Sequence, residues 1–92
     1  FKDNSSILLD KAVVDTKRVR DIAMEFEEVK DIHNIRSRGC MNDLYIDMHI
    51  MIEPELSVEK SHELAHDIEE QIKKGINGSA QLIAHIEPYR ES

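Results

Sequence analysis

The chain has 92 residues, 40% of them hydrophobic and 34% charged, with a formal net charge of −7 and no tryptophan. That length gives one small domain with a thin stability margin, and so lean a core invites burial against a partner. The acidic balance, with Lys17, Arg18 and Arg20 interleaved among acids, leaves no cationic stripe and argues against nucleic acid as a partner; five histidines beside nineteen carboxylates suit divalent cations instead.

Cys40 is the single cysteine. It rules out an internal disulfide framework, fits a reducing compartment and reads as a loop thiol. No apolar run approaches the ~20 residues that span a bilayer, and no signal peptide is visible. The chain begins at Phe1, as expected of a piece of something longer.

Residues 1–14 show no clean period and read as a lead-in segment, with a short anchor at Ile7, Leu8 and Leu9; residues 15–92 form the domain proper. Asp15 looks like an N-cap. Val19, Ile22, Ala23 and Phe26 follow at helical spacing, which predicts an amphipathic helix from Thr16 to about Glu28. Val29 to Arg38 predicts a first strand, but Ile32 and Ile35 fall on opposite faces, a conflict that a bulge would reconcile. Gly39 marks a turn. From Leu44 to Ile52 the alternation is clean, with Leu44, Ile46, Met48, Ile50 and Ile52 on one face and Tyr45, Asp47, His49, Met51 and Glu53 on the other.

Pro54 ends that strand and Ser57 caps a second helix. Val58, Ser61, Leu64, Ala65, Ile68 and Ile72 supply its core stripe, and Gly75 and Gly78 close it. In residues 80–87 Ala80, Leu82, Ala84 and Ile86 face one way while Gln81, Ile83, His85 and Glu87 face the other, until Pro88 stops the strand. The order is therefore α-β-β-α-β. A hairpin joins the first two strands, and a right-handed crossover makes strand three parallel to strand two. Both helices cover one sheet face. The other is left bare, showing Tyr45, His49, Met51, Ile83, His85 and Glu87, and such a face calls for a partner.

The string SHELAHD contains a literal H-E-x-x-H: His62, Glu63 and His66. This spacing lets a helix present two zinc ligands and a general base. On a helical wheel His62 lies about 100°, His66 about 140° and Glu63 about 200° from the apolar centre. Both histidines leave the core together, as zinc requires. A hydrolase also needs a third ligand and an open coordination position. After His66 comes DIEEQI, which offers no third histidine; Glu87 sits on a predicted strand, and no room remains for a substrate domain. The pattern therefore speaks weakly for an enzyme.

A different constellation carries more. His85 and Glu87 are two apart on a strand and share a face; His49 shares the corresponding face of the neighbouring strand if the registers align. His33 is on the first strand, and His62 opens the second helix. The expectation is that these five groups converge at one edge of the sheet, where imidazole with carboxylate suits Zn²⁺ and related first-row ions. The alternative is five solvated surface residues, and the residues alone leave the two readings level.

The strings VKDIHNIRSRG, LYIDMHIMIEPELSVEKSHELAHDIEEQIKK and AQLIAHIEP together resemble the C-terminal cytoplasmic domain of cation diffusion facilitator transporters. In that family a histidine precedes a short basic strand; then come a strand with a histidine, an acidic-Pro turn, an L-S-V-x-x-(S/A)-H helix start and a closing H-x-(E/D)-P. The likeness runs from about Leu8 to Pro88. It implies a metallochaperone-like (ferredoxin-like) α+β fold, αββαβ, with a three-stranded mixed sheet. It also implies a homodimer joined to its own transmembrane domain, in a protein of the cell inner membrane that exchanges divalent cations for protons. The family's metal-binding residues fall on His33, His49, His62 and His85, with Glu87 where some members have aspartate; His66 has no counterpart. The ion implied is Zn²⁺, with Mn, Fe, Co and Cd as alternatives, and metal binding would draw two protomers together. Three further readings are a free-standing metal-binding or metallochaperone-like protein, a zinc hydrolase built on SHELAH, and a dimerisation module whose histidines bind nothing.

Overall fold

The computed structural model describes residues 14–90. The elements are α1 (Thr16–Met24), β1 (Val29–Cys40), β2 (Asp43–Ile52), α2 (Val58–Gly75) and β3 (Gln81–Pro88). The three strands form one sheet in the order β1-β2-β3, with β1 antiparallel and β3 parallel to β2. This is the expected αββαβ arrangement with a mixed sheet. No helix among the described residues is long and apolar enough to cross a membrane. Apart from Val14, which packs into the core, the expected lead-in and its Ile7–Leu9 anchor lie outside the described residues.

β2 organises the interior. Leu44, Ile46, Met48, Ile50 and Ile52 are all buried, so one face of the strand is wholly removed from water, the largest favourable term available to so small a chain. Val19 and Ala23 of α1 and Leu64, Ile68 and Ile72 of α2 join the same cluster, which places both helices on that face. The helices start where their caps predict: the Asp15 side chain accepts from the Lys17 N–H and the Ser57 hydroxyl from the Lys60 N–H, each satisfying a donor that the first turn leaves orphaned. Ser61 is buried in the α2 stripe, where its hydroxyl donates to the Ser57 carbonyl at 2.8 Å. Lys73 and Lys74 fall in the last turn, where cations complement the helix dipole.

Four local expectations are corrected. The first helix stops at Met24 rather than about Glu28, because the chain tightens into i→i+3 turns: Glu25 N–H to the Ile22 carbonyl and Phe26 N–H to the Ala23 carbonyl, which swing Val29 into the sheet. Val58 is not core; as the first residue of α2 it is 86% exposed. Pro88 lies within β3, paired in register with Ile52; β3 is an edge strand, where a missing N–H is tolerated, and Tyr89 supplies the next donor to the Ile52 carbonyl at 2.6 Å. Gly39 sits inside β1 rather than in the turn, which falls at Met41 and Asn42.

The irregularity of β1 is resolved by two bulges. Register shifts lie between Val29 and Asp31 and between His33 and Arg36. Each inserts one extra residue, which resets which side chains face inward. Val29, Ile32 and Ile35 thus all turn to the core side although they are three apart, while Asp31 and His33 stay on the bare face. Asn34 carries the second bulge at φ 56, a left-handed conformation that asparagine tolerates better than most residues. α1 is tied to this segment: Arg20 donates from Nη1 to the Ile32 carbonyl at 2.6 Å and from Nη2 to Asp31 Oδ1 at 3.0 Å.

Gly39 adopts φ +99, and a Cβ there would stand 2.1 Å from the Asp43 carbonyl oxygen across the hairpin. Gly39→Ala combines a left-handed strain with a backbone clash, and is expected to lower stability by about 2 kcal/mol or more. Urea unfolding of the two proteins checks this.

Candidate metal centre

The sheet face away from the helices is ordered in rows. His33 pairs with His49 across β1 and β2, and His49 pairs with His85 across β2 and β3. Directly paired residues share a face, and adjacent strands lie about 4.8 Å apart, so three imidazoles stand side by side across the whole sheet. In the next row Asp31 pairs with Met51 and Met51 with Glu87, which places one carboxylate on each outer strand. Four of the five expected residues, His33, His49, His85 and Glu87, are therefore neighbours.

The side chains engage one another in pairs. His49 Nδ1 lies 2.6 Å from Glu87 Oε2, and the His49 and His85 rings stack with centroids 4.8 Å apart and planes 23° apart. His33 Nε2 lies 3.2 Å from Asp31 Oδ2. Asp31, His33, Met51 and Glu87 line one open cleft of ≈ 840 Å³, together with Pro88 to Arg90. In the tautomer whose Nδ1–H donates to Glu87, Nε2 of His49 carries the lone pair, the arrangement in which a carboxylate orients a metal-binding imidazole. Among the described residues, no group of three or more His, Cys, Asp or Glu side chains in one chain stands so as to hold a metal ion. The donors are gathered in twos, and a full coordination shell would draw on water, side-chain rearrangement or a second chain.

His62 does not join them. It lines a different cavity with Ala65, His66, Glu69, Leu82 and Ala84. Leu82 and Ala84 pack against the core, so this cavity opens on the helix-covered side of β3 while His85 leaves from the other. The expected convergence of all five groups is thus corrected to four. The error was to place His62 by the strand end it follows in sequence rather than by the face of α2 from which it projects.

Asp31 is the carboxylate of this candidate patch that sequence reasoning passed over, although the signal was there. Asp31-Ile-His33 repeats, in reverse, the two-residue spacing of His85-Ile-Glu87 that marked the other edge. Its carboxyl is held below the ordinary value of 3.8, first by the Ile32 backbone N–H and then by the hydrogen bond from Arg20, with smaller contributions from the charges of His33 and Arg20 against a partial loss of hydration.

Residues 13–89 match the family of the cation efflux protein, cytoplasmic domain. Similar relatives include metal tolerance protein 2 of Oryza sativa, 32% identical over 68 residues that are 74% of this chain and 18% of the relative. A manganese efflux system protein of Bacillus subtilis is 24% identical over 99% of this chain and 31% of its own length. The chain thus spans less than a third of the curated relatives it matches here. Among solved structures, a variant of the MamM C-terminal domain superposes with a TM-score of 0.71 at 25% identity, covering 87% of this chain and 98% of that one. A zinc form of CzrB superposes with a TM-score of 0.71 at 20% identity, covering 83% and 89%, and shares the fold.

The pH dependence of stability follows from Asp31. A carboxyl whose value is lowered by folding stabilises fully above its unfolded value and loses that contribution as pH falls through the folded one. Asp31→Asn keeps the shape and removes the charge. It is expected to be less stable than the unmodified chain at neutral pH, with the gap closing progressively below pH 3.8, as read from urea midpoints across a pH series.

Proposed function

This chain belongs to the cation efflux protein family, as that family's cytoplasmic domain, and we propose that it is a dimerising, metal-binding regulatory domain of a proton-coupled divalent-cation transporter. The observation that carries the proposal is the row His33–His49–His85 with Glu87 bonded to the central imidazole. Neutral imidazoles and carboxylates are the donor set of first-row divalent ions. Zn²⁺ is the proposed ligand, with Mn²⁺, Fe²⁺, Co²⁺ and Cd²⁺ as its competitors; zinc and nickel forms among the structural neighbours and manganese efflux among the relatives agree with that class.

In this reading the rest of the shell comes from a homodimer partner. The bare face also carries Tyr45, Ile83, Arg36, Arg38 and Asp47, with Ile83 38% exposed. A surface mixing apolar groups with both signs of charge is suited to another protein surface. Two copies, each at −7, repel at long range. A divalent ion set among their carboxylates and imidazoles offsets that charge and replaces repulsion with coordination bonds. Metal then favours the closer arrangement only to the extent that it binds that arrangement better. Attached to its transmembrane domain at the inner membrane, the domain would report cytoplasmic metal as a change in the spacing of two protomers. Acid should release the ion, because imidazolium cannot ligate.

The matched family is a transporter domain and not an enzyme family, and among the described residues His62 and His66 belong to no group of three side chains that could hold a metal ion, so the H-E-x-x-H spacing is not proposed as a hydrolase.

Zinc titration by calorimetry is expected to show binding that His49→Ala weakens by at least about tenfold, and small-angle scattering is expected to show a smaller radius on zinc loading. Equal heats from the unmodified and His49→Ala chains would remove the metal site, and an unchanged radius would remove the coupling.

A further inference from the structure

The sheet ends at β1 on one side and at β3 on the other, so each of these strands has one edge with no strand of the sheet beside it. Such edges are templates for pairing with another chain. In a strand, the N–H and C=O of one residue point to the same side, and the side alternates from residue to residue. The Tyr89 N–H goes to the Ile52 carbonyl of β2 at 2.6 Å, whereas the Leu82 N–H goes away from β2, to Glu69 Oε2 of α2 at 2.8 Å. The alternation therefore places Leu82, Ala84, Ile86 and Pro88 on the outer edge of β3. Leu82 has its donor taken, and Pro88 has no donor to give. Ala84 and Ile86 are left between them. An incoming strand of ordinary length, about five residues, meets a closed position at either end.

We propose that Glu69, together with Pro88, seals the outer edge of β3 against strand addition by a second copy of this chain. An ionised carboxylate accepts hydrogen bonds and never donates them. Glu69 thus satisfies the Leu82 N–H without offering a donor onward, and it occupies the place where an incoming strand's carbonyl would sit. A strand packed against it would have to strip a charge of its water. Glu69 shares its cavity with Ala65, Leu82 and Ala84, so α2 side chains also stand beside the start of this edge. β1 is guarded in another way. Its two register shifts, with Asn34 at φ 56, interrupt any straight run of partners, and Arg20 of α1 takes up the Ile32 carbonyl at 2.6 Å. Each outer strand is met by a side chain from a helix: an acceptor on a β3 donor, and a donor on a β1 acceptor. With its edges closed the sheet does not grow sideways, and its helix-free face is the surface left open to a partner. The seal is independent of the metal reading, since its bonds involve none of His33, His49, His85 and Glu87.

The test uses the 92-residue chain with EDTA throughout, so that failure of the metal reading would leave its result untouched. Glu69→Ala frees the Leu82 N–H, and Pro88→Val restores the missing donor. By sedimentation velocity the double variant is expected to self-associate at least about tenfold more tightly than the unmodified chain, as one or two regained hydrogen bonds would give. Adding Ile86→Lys, which sets a charge on the same edge, should reverse the effect. Amide hydrogen exchange supplies a second readout. The Leu82 N–H should be protected in the unmodified chain and in Glu69→Gln, whose side-chain carbonyl still accepts, and should exchange at least about tenfold faster in Glu69→Ala. A double variant that is folded by far-UV circular dichroism yet associates no more than the unmodified chain overturns the proposal. So does association that Ile86→Lys leaves unchanged, or a Leu82 amide that exchanges alike with and without Glu69→Ala. Should the double variant not fold, the exchange of Leu82 in the Glu69→Ala chain decides alone.

Discussion

Between Leu44 and Ile52 every second side chain is driven out of water, and the positions between them are thereby left on the other side of the sheet. The five inward residues of β2 are among the most buried in the molecule. A slip of one residue would exchange the faces, putting His49, Asp47 and Tyr45 into an apolar interior and Ile46 and Ile50 into water, at a cost of several kcal/mol from the exposed aliphatic side chains alone. The core therefore fixes the central imidazole. β1 and β3 are then set in register against β2, and the other two imidazoles come to stand beside it. Packing on one face and chemistry on the other are consequences of the same alternation.

The two bulges of β1 extend this control to the edge. Without the extra residue at each shift, Val29, Ile32 and Ile35 could not all pack inward, and His33 could not share a face with His49. Arg20 of α1 holds the same segment through the Ile32 carbonyl and Asp31. The carboxylate beside His33 is thus both a structural anchor and a member of the donor patch. Glu87 on the opposite strand has no such anchor in α1 or α2 and instead turns to His49. The patch has one tethered carboxylate and one that orients an imidazole.

Much of this was legible in the residues. The strict alternation of 44–52 and 80–87 gave strand and face, and the caps at Asp15 and Ser57 gave helix starts, because each rests on a local rule with little competition; the relative direction came from the handedness of the crossover. The ends of elements were less legible. Where α1 stops depends on how Val29 must enter the sheet, and where β1 turns depends on the close approach of Gly39 to Asp43, both tertiary facts. The row of His33, His49 and His85 required register, which alternation alone leaves open by two residues at a time, and for β1 required bulges whose positions no periodicity reveals. His62 was misplaced for a related reason: helix spacing states which residues share a face, but not which strand that face overlooks. Its pairing with His66, by contrast, is purely local and was readable from the i, i+4 spacing.

The central claim is that the helix-free face gathers imidazoles and carboxylates in order to hold a divalent cation between two copies of the chain. Anomalous scattering at the zinc edge from zinc-soaked crystals tests it most directly. The account predicts a zinc peak over the His33–His49–His85 row, within about 2.0–2.2 Å of an imidazole nitrogen and with donors from a second copy nearby. Zinc found elsewhere on the molecule, with that face bare, would contradict it.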